Sequence, residues 1–187
     1  MRLFPHRIAG EGHFACLLRK IGGEERGGRD QGDDRLMEMN RLQRDLWEGF
    51  AGDALAASFN ATRLRVRAER LYLIPEDMPD FGTLRVVHPG VWLGTFKKGR
   101  FEPAHPLALH LRPGQARRTL DLSAAEDGAQ AGRPRPPLQA YLAGESLPSE
   151  GPPSWTLVST DGWPLGWGKR VQGLLKNHYP RGWQIHS

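Results

Sequence analysis

A two-lobed α+β fold is what this sequence predicts, and three observations predict it. Between residues 35 and 50, Leu36, Met39, Leu42, Leu46, Trp47 and Phe50 recur three or four apart, which places them on one helical face. Further along, short alternating segments rich in β-branched and aromatic residues are separated by turn signals, the pattern of a small sheet. The 23 Gly and 15 Pro among 187 residues demand more turns than a helical bundle tolerates.

Taken in order, residues 1–20 read as a hairpin, with strands at 3–6 and 13–18 about Gly10, Glu11 and Gly12. A two-stranded ribbon is marginal in water, so it is expected to pack on other structure or to be the edge of a larger sheet. Residues 21–34, dense in Gly and charge, read as a flexible linker. The helical stripe at 35–50 is a core face. Strands are predicted at 64–67, 71–74, 84–87 and 91–96, punctuated by Pro75, Pro79, Gly82, Pro89 and Gly90. Pro103 then precedes AHPLALHL, a short helix closed by Arg112, Pro113 and Gly114. A strand at 119–122, an Ala/Gly/Pro-rich connection, a helix at 138–143 and a loop to Pro153 follow. The chain ends on a hairpin: a strand at 155–159, a turn at Asp161 and Gly162, and a return strand at 164–171.

Charge is distributed unevenly. Residues 24–53 hold nine carboxylates against five Lys or Arg, whereas from 82 to 118 Glu102 alone opposes seven basic residues. From Gly162 to Ser187 there are Lys169, Arg170, Lys176 and Arg181 with no carboxylate at all, interleaved with Trp163, Trp167 and Trp183. Cations supply phosphate affinity through counterion release and flat rings stack on unpaired bases, so the second half reads as a nucleic-acid surface. One cysteine, Cys16, excludes an intramolecular disulfide and provides no metal framework. With no secretory signal and no apolar run near the roughly 20 residues of a membrane helix, a cytoplasmic protein without a membrane partner is expected.

Several motifs fail on context. Gly10, Gly12 and Ala15 have the spacing of a dinucleotide fingerprint, but a Gly-rich stretch stands where the second strand of a βαβ unit should run. Gly168 and Lys169 lack the spacing and the Ser or Thr of a phosphate loop. His105 and His110 have no co-ligands, and Cys16 sits in an apolar strand, where an inert thiol is the rule. No catalytic, metal or cofactor site is therefore assigned.

Two stretches remain, GTFKKGRFEPAH and DGWPLGWGKRVQGLLKNHYPRGW. They nominate Lys97, Lys98, Arg100, Lys169, Arg170, Lys176 and Arg181 as phosphate contacts. Phe101, Trp163, Trp167 and Tyr179 are the stacking candidates, and Asn177 a base-edge or ribose contact. Alternation along the hairpin separates Trp163, Leu165 and Trp167 from Gly166 and Gly168, so some of the tryptophans are expected in the core.

Three blocks, PHRIAGEGHFACLLRK, VWLGTFKKGRFEPAHPLALHL and DGWPLGWGKRVQGLLKNHYP, resemble in order the C-terminal part of Sun-type RNA 5-methylcytosine methyltransferases of the ribosomal small subunit methyltransferase F group. The resemblance implies four parts: residues 1–20 as the last hairpin of a Rossmann-like methyltransferase sheet, 21–34 as linker, 35–112 as a first C-terminal α+β domain, and 113–187 as a PUA-like RNA-binding β-barrel. It implies small-subunit ribosomal RNA as partner. The family's S-adenosylmethionine loop and its two catalytic cysteines lie upstream of the part represented here, and Cys16 matches neither cysteine. The resulting expectation is an RNA-binding module, inactive alone, that positions RNA for a catalytic domain absent from this chain. A protein-interaction module docking on a separate catalytic subunit, or the inactive product of a split gene, are the alternatives.

Overall fold

The computed structural model describes residues 2–3, 13–14, 35–78, 86–123 and 135–185. Met1–Gln31 and Gly32–Ser187 form two compact units. In the first, β1 (Arg2–Leu3) pairs antiparallel with β2 (His13–Phe14). These pairs fall within the expected hairpin, and the rest of its predicted strands lies outside the described residues. The predicted linker at 21–34 lies outside the described residues.

The second unit opens with α1 (Arg41–Ala54), six residues later than the apolar spacing suggested. Asn40 sets the boundary: its side chain accepts from Gln43 N at 2.9 Å, and Gln43 Oε1 accepts from Asn40 N at 3.0 Å. This reciprocal capping box satisfies two donors that the first helical turn would otherwise orphan. The residues before it run extended, and Met37 bridges Val66 instead of extending the helix. Trp47, Phe50 and Ala54 are the buried face, while Leu42 stays 64% exposed.

A four-stranded antiparallel meander follows: β3 (Leu64–Arg67), β4 (Arg70–Leu73), β5 (Val91–Lys97) and β6 (Arg100–Pro103). β6 lies where no strand was assigned from the sequence. It pairs because Gly94 has no side chain: a Cβ there would lie 2.3 Å from the Phe101 ring and 2.4 Å from the Glu102 carbonyl. The strand predicted at 84–87 lies partly outside the described residues, and Val86 and Val87 belong to no strand.

α2 (His105–His110), with Pro106 in its first turn, leads through β7 (Thr119–Asp121), α3 (Pro137–Leu142) and β8 (Leu147–Pro148) to a long hairpin. That hairpin is β9 (Ser154–Thr160) and β10 (Trp163–Val171), followed by β11 (Leu174–Asn177). Both turns joining these strands place two residues at positive φ, Asp161 and Gly162 in one and Gln172 and Gly173 in the other, the two-residue turns that match strand twist. Sheet order is β7-β9-β10-β11-β8, with β7 parallel to β9. The sheet curls as a half-barrel with β7 and β8 as its edges, where a PUA-like β-barrel was expected.

The two sheets are not separate lobes. One hydrophobic cluster joins Trp47 and Phe50 of α1, Leu64, Leu71, Leu93 and Phe101 of the meander, and Trp155, Leu157 and Trp167 of the half-barrel. A second, smaller cluster lies on the other face of the half-barrel, around Tyr141, Val158 and Leu175. A register shift between Pro164 and Gly166 divides the β10 side chains between them. Leu165 consequently packs on the second cluster although Trp167, two residues on, belongs to the first.

Candidate nucleic-acid interface

Register decides which of the predicted contacts can act together. Lys169 lies directly opposite Trp155 on β9 and opposite Lys176 on β11, and paired residues share a sheet face. Trp155, Lys169 and Lys176 therefore form one row across three strands. Lys169 Nζ stands 5.5 Å from the centre of the Trp155 ring, and His178, on the same side as Lys176, meets that ring edge-on at 4.6 Å. The indole is thus roofed by two groups that can carry positive charge.

The meander brings a second set of cations to this row. Lys97 and Arg100 face each other across the β5–β6 turn and both grip Glu102, Arg100 Nε at 2.8 Å from its Oε1. Partial burial pulls the Glu102 carboxyl upward, but the hydrogen bonds and charges of Lys97 and Arg100 outweigh it and hold it below the usual carboxylate range. His178 is lowered first by burial; Glu102 opposes this, while Lys169, Lys97 and Lys176 reinforce it. One imidazole feels charges from both sheets. The two sequence blocks, some seventy residues apart, therefore converge on a single basic seam.

Other predicted contacts are placed elsewhere. Lys98, beside the β5–β6 turn, and Arg181, in a short 3-10 turn at Arg181–Trp183, are exposed. Trp163 is 75% exposed at the β9–β10 turn. Asp121 holds that turn: its carboxylate accepts from Gly162 N, Ser159 Oγ, Ser123 N and Ser123 Oγ. The Ser123 hydroxyl and then the Gly162 amide do most to hold the Asp121 carboxyl far below its ordinary value, against a smaller opposing effect of burial.

Four expectations are corrected. Phe101, 5% exposed, is a core ring packed on Trp47, Phe50 and Phe96. Trp167, 1% exposed, donates its indole N–H to the Ala104 carbonyl at 3.1 Å and so ties β10 to the start of α2. Neither presents a face to a base. Asn177 spends its amide on the carbonyls of Tyr141 and Glu145 at 2.7 and 3.0 Å and accepts from Tyr179 N, which makes it a backbone clamp. Arg170 points to the face opposite Lys169 and donates to Ser149 Oγ at 2.9 Å. Tyr179 is half-buried among His105, Tyr141 and Trp183, with ring centres 5.5, 5.6 and 6.4 Å away.

Trp155 and His178 are members of the seam that the sequence reading passed over. Alternation was the available signal, since residues 176 and 178 share a face that 177 does not. Among the described residues no cluster of His, Cys, Asp or Glu could hold a metal ion, and no helix is long and apolar enough to cross a membrane.

Comparison with known proteins agrees with this layout. Residues 49–111 match the family described as RsmF rRNA methyltransferase first C-terminal domain, and residues 133–185 match the methyltransferase RsmF PUA domain. The chain thus matches the C-terminal region of RsmF in two successive domains. The ribosomal RNA small subunit methyltransferase F of Erwinia tasmaniensis is 27% identical over 190 residues, which cover 97% of this chain and 37% of that relative. The first RsmF domain thus supplies the β5–β6 hairpin of the seam, and the RsmF PUA domain supplies its Trp155, Lys169, Lys176 row.

Proposed function

We propose that this chain is the RNA-binding module of a ribosomal RNA methyltransferase, and that the basic seam grips small-subunit ribosomal RNA so that a cytosine is presented to a catalytic domain. The observation that carries this reading is the row Trp155, Lys169 and Lys176 across three strands, with Lys169 over the Trp155 ring and His178 against its edge. With Lys97, three lysines from two sheets give an anionic backbone several simultaneous contacts, and Lys98, Arg181 and the exposed Trp163 extend the surface. The relative's name supports ribosomal RNA as the partner and methylation as the reaction.

In this reading the methyl donor S-adenosylmethionine is held elsewhere, and residues 1–20 are the end of the sheet that holds it. The single cysteine of the chain, Cys16, is not a nucleophile here, because attack on a pyrimidine ring needs a thiolate with an activating partner and a second thiol is missing. The purified chain is expected to bind RNA and to transfer no methyl group.

The test is a salt titration of binding to a small-subunit ribosomal RNA fragment. Replacing Lys169 and Lys176 together by Ala removes two phosphate contacts, which should lower the slope of log affinity against log salt by about 1.4 to 1.8. Wild-type affinity in the double variant, or binding that ignores salt, would overturn the assignment.

A further inference from the structure

The face of the meander turned away from the core carries a second basic and aromatic arrangement that the seam does not use. Across β3, β4 and β5, Arg65 lies opposite Tyr72 and Tyr72 opposite Trp92; in the next row Arg67 lies opposite Arg70 and Arg70 opposite Thr95. The alternate residues Leu64, Val66, Leu71 and Leu93 fill the core. Period-two alternation therefore puts three arginines and the Trp92 ring on one outer face, with Tyr72, 1% exposed, buried on the same side.

That face carries an open groove of about 600 Å³, lined by Arg67, Arg70, Tyr72, Trp92 and Thr95, with Val86 and Val87 beside them. This is the size of a small-ligand site. The Arg70 guanidinium stands 5.1 Å from the Trp92 ring centre and that of Arg67 stands 5.6 Å from the Tyr72 ring. Arg67 is fixed by donating to the Val86 and Val87 carbonyls, and Trp92 by donating its indole N–H to the Gly94 carbonyl at 2.9 Å. Arg70 makes no ion pair among the described residues and is exposed. One carboxylate, Glu69, also lines the groove, at the exposed β3–β4 turn, so the lining keeps a net positive charge.

We infer that this groove holds one unpaired nucleotide of the bound RNA, its base stacked along the Arg70–Trp92 pair and its phosphate met by the arginine fork. A guanidinium beside an indole offers a base a stacking surface, and its planar donors suit two phosphate oxygens at once. The inference rests on the RNA-binding reading above and adds a second contact, on a different sheet face, that requires single-stranded RNA. Two linked contacts on one chain raise affinity by more than either provides.

The experiment uses the full chain and two probes, a small-subunit ribosomal RNA fragment with an unpaired loop and a fully paired duplex of equal length. Arg70→Ala is expected to weaken binding of the looped RNA by about tenfold, and Arg70→Lys, which keeps the charge and loses the plane, by an intermediate factor, with little effect on the duplex. Ultraviolet cross-linking should join the looped RNA to the peptide containing Trp92. If Lys169→Ala with Lys176→Ala weakens both probes while Arg70→Ala weakens neither, the groove assignment fails and the seam stands. If wild type binds neither probe, both fail. Displacement of the looped RNA by a short polyglutamate peptide as readily as by an oligonucleotide would show a general anion site and overturn the nucleotide assignment.

Discussion

Trp167 and Trp163 lie four residues apart on one strand, yet their replacement should have opposite consequences. Trp167→Ala deletes a side chain that is 1% exposed and touches rings of α1 and of β9, Phe50 at 6.0 Å and Trp155 at 6.4 Å. Truncation of a buried tryptophan costs about 3–5 kcal/mol. Loss of the indole hydrogen bond, which leaves the Ala104 carbonyl without that donor, adds about 1 kcal/mol. A domain of this class is stable by roughly 5–15 kcal/mol, so the variant should be near its limit. With a urea slope of about 2 kcal/mol per molar, the midpoint should fall by about 2 to 3 M. Trp167→Phe keeps most of the apolar contact and should cost about 1–2 kcal/mol. Trp163→Ala, at a 75% exposed turn position, should stay within about 0.5 kcal/mol of wild type and weaken RNA binding instead. Urea unfolding followed by far-ultraviolet circular dichroism and by tryptophan fluorescence checks this. Because one cluster joins both sheets, the two signals should superimpose in a single transition. A Trp167→Ala midpoint within 0.5 M of wild type, or two transitions of which one moves, would refute the shared core.

Three further outcomes follow from the charges. Glu102→Gln frees Lys97 and Arg100 from their ion pairs, and RNA affinity measured at low salt should rise about two- to fivefold. His178 is held below its ordinary value of 6.5 by burial, so it is neutral at pH 7 and gains a charge only under acid conditions; RNA affinity should climb as pH falls below that ordinary value, and His178→Gln should flatten the climb in a binding titration. Asp121 has a depressed folded-state value, so the stability it contributes is present above its unfolded value near 4 and is lost as pH falls below that; Asp121→Asn should cost about 1 kcal/mol at pH 7, after solvent screening, and the difference from wild type should shrink in melts below pH 4.

Much of this architecture could be read directly because its signals are local. The Asp161–Gly162 turn has the two residues that most readily adopt positive φ, and the strands on either side appear where alternation put them. Gln172–Gly173 has the same geometry with a residue that does not announce a turn, and β11 was missed with it. β6 was missed because the space for it is made by Gly94 on another strand, a non-local cause. Charge composition singled out two blocks but could not assign roles within them. Lys169 and Arg170 are neighbours in sequence and opposite in space, and Phe101 and Trp167 are aromatic residues among cations that the fold consumes as core. An aromatic residue beside Lys or Arg satisfies two descriptions at once, and only strand register separates them.

Those core aromatics still bear on binding, through position instead of contact. Phe50 on α1 packs 5.1 Å from Phe101, on the hairpin that carries Lys97, and 6.0 Å from Trp167, on the strand that carries Lys169. It is the ring shared by the two arms of the seam. Phe50→Leu keeps the site apolar and conserves charge, and should cost about 1–2 kcal/mol in urea unfolding. The looser contact lets the hairpin and the strand shift relative to one another, so fewer protein conformations match the phosphate spacing and RNA affinity should fall about threefold. The salt slope separates this from a lost contact. Removing a lysine lowers the slope by about 0.7 to 0.9, whereas a positional change leaves the number of released counterions the same. Equal affinity with an unchanged slope would mean that the sheets act independently, and a reduced slope would mean that Phe50 holds a cation in place directly.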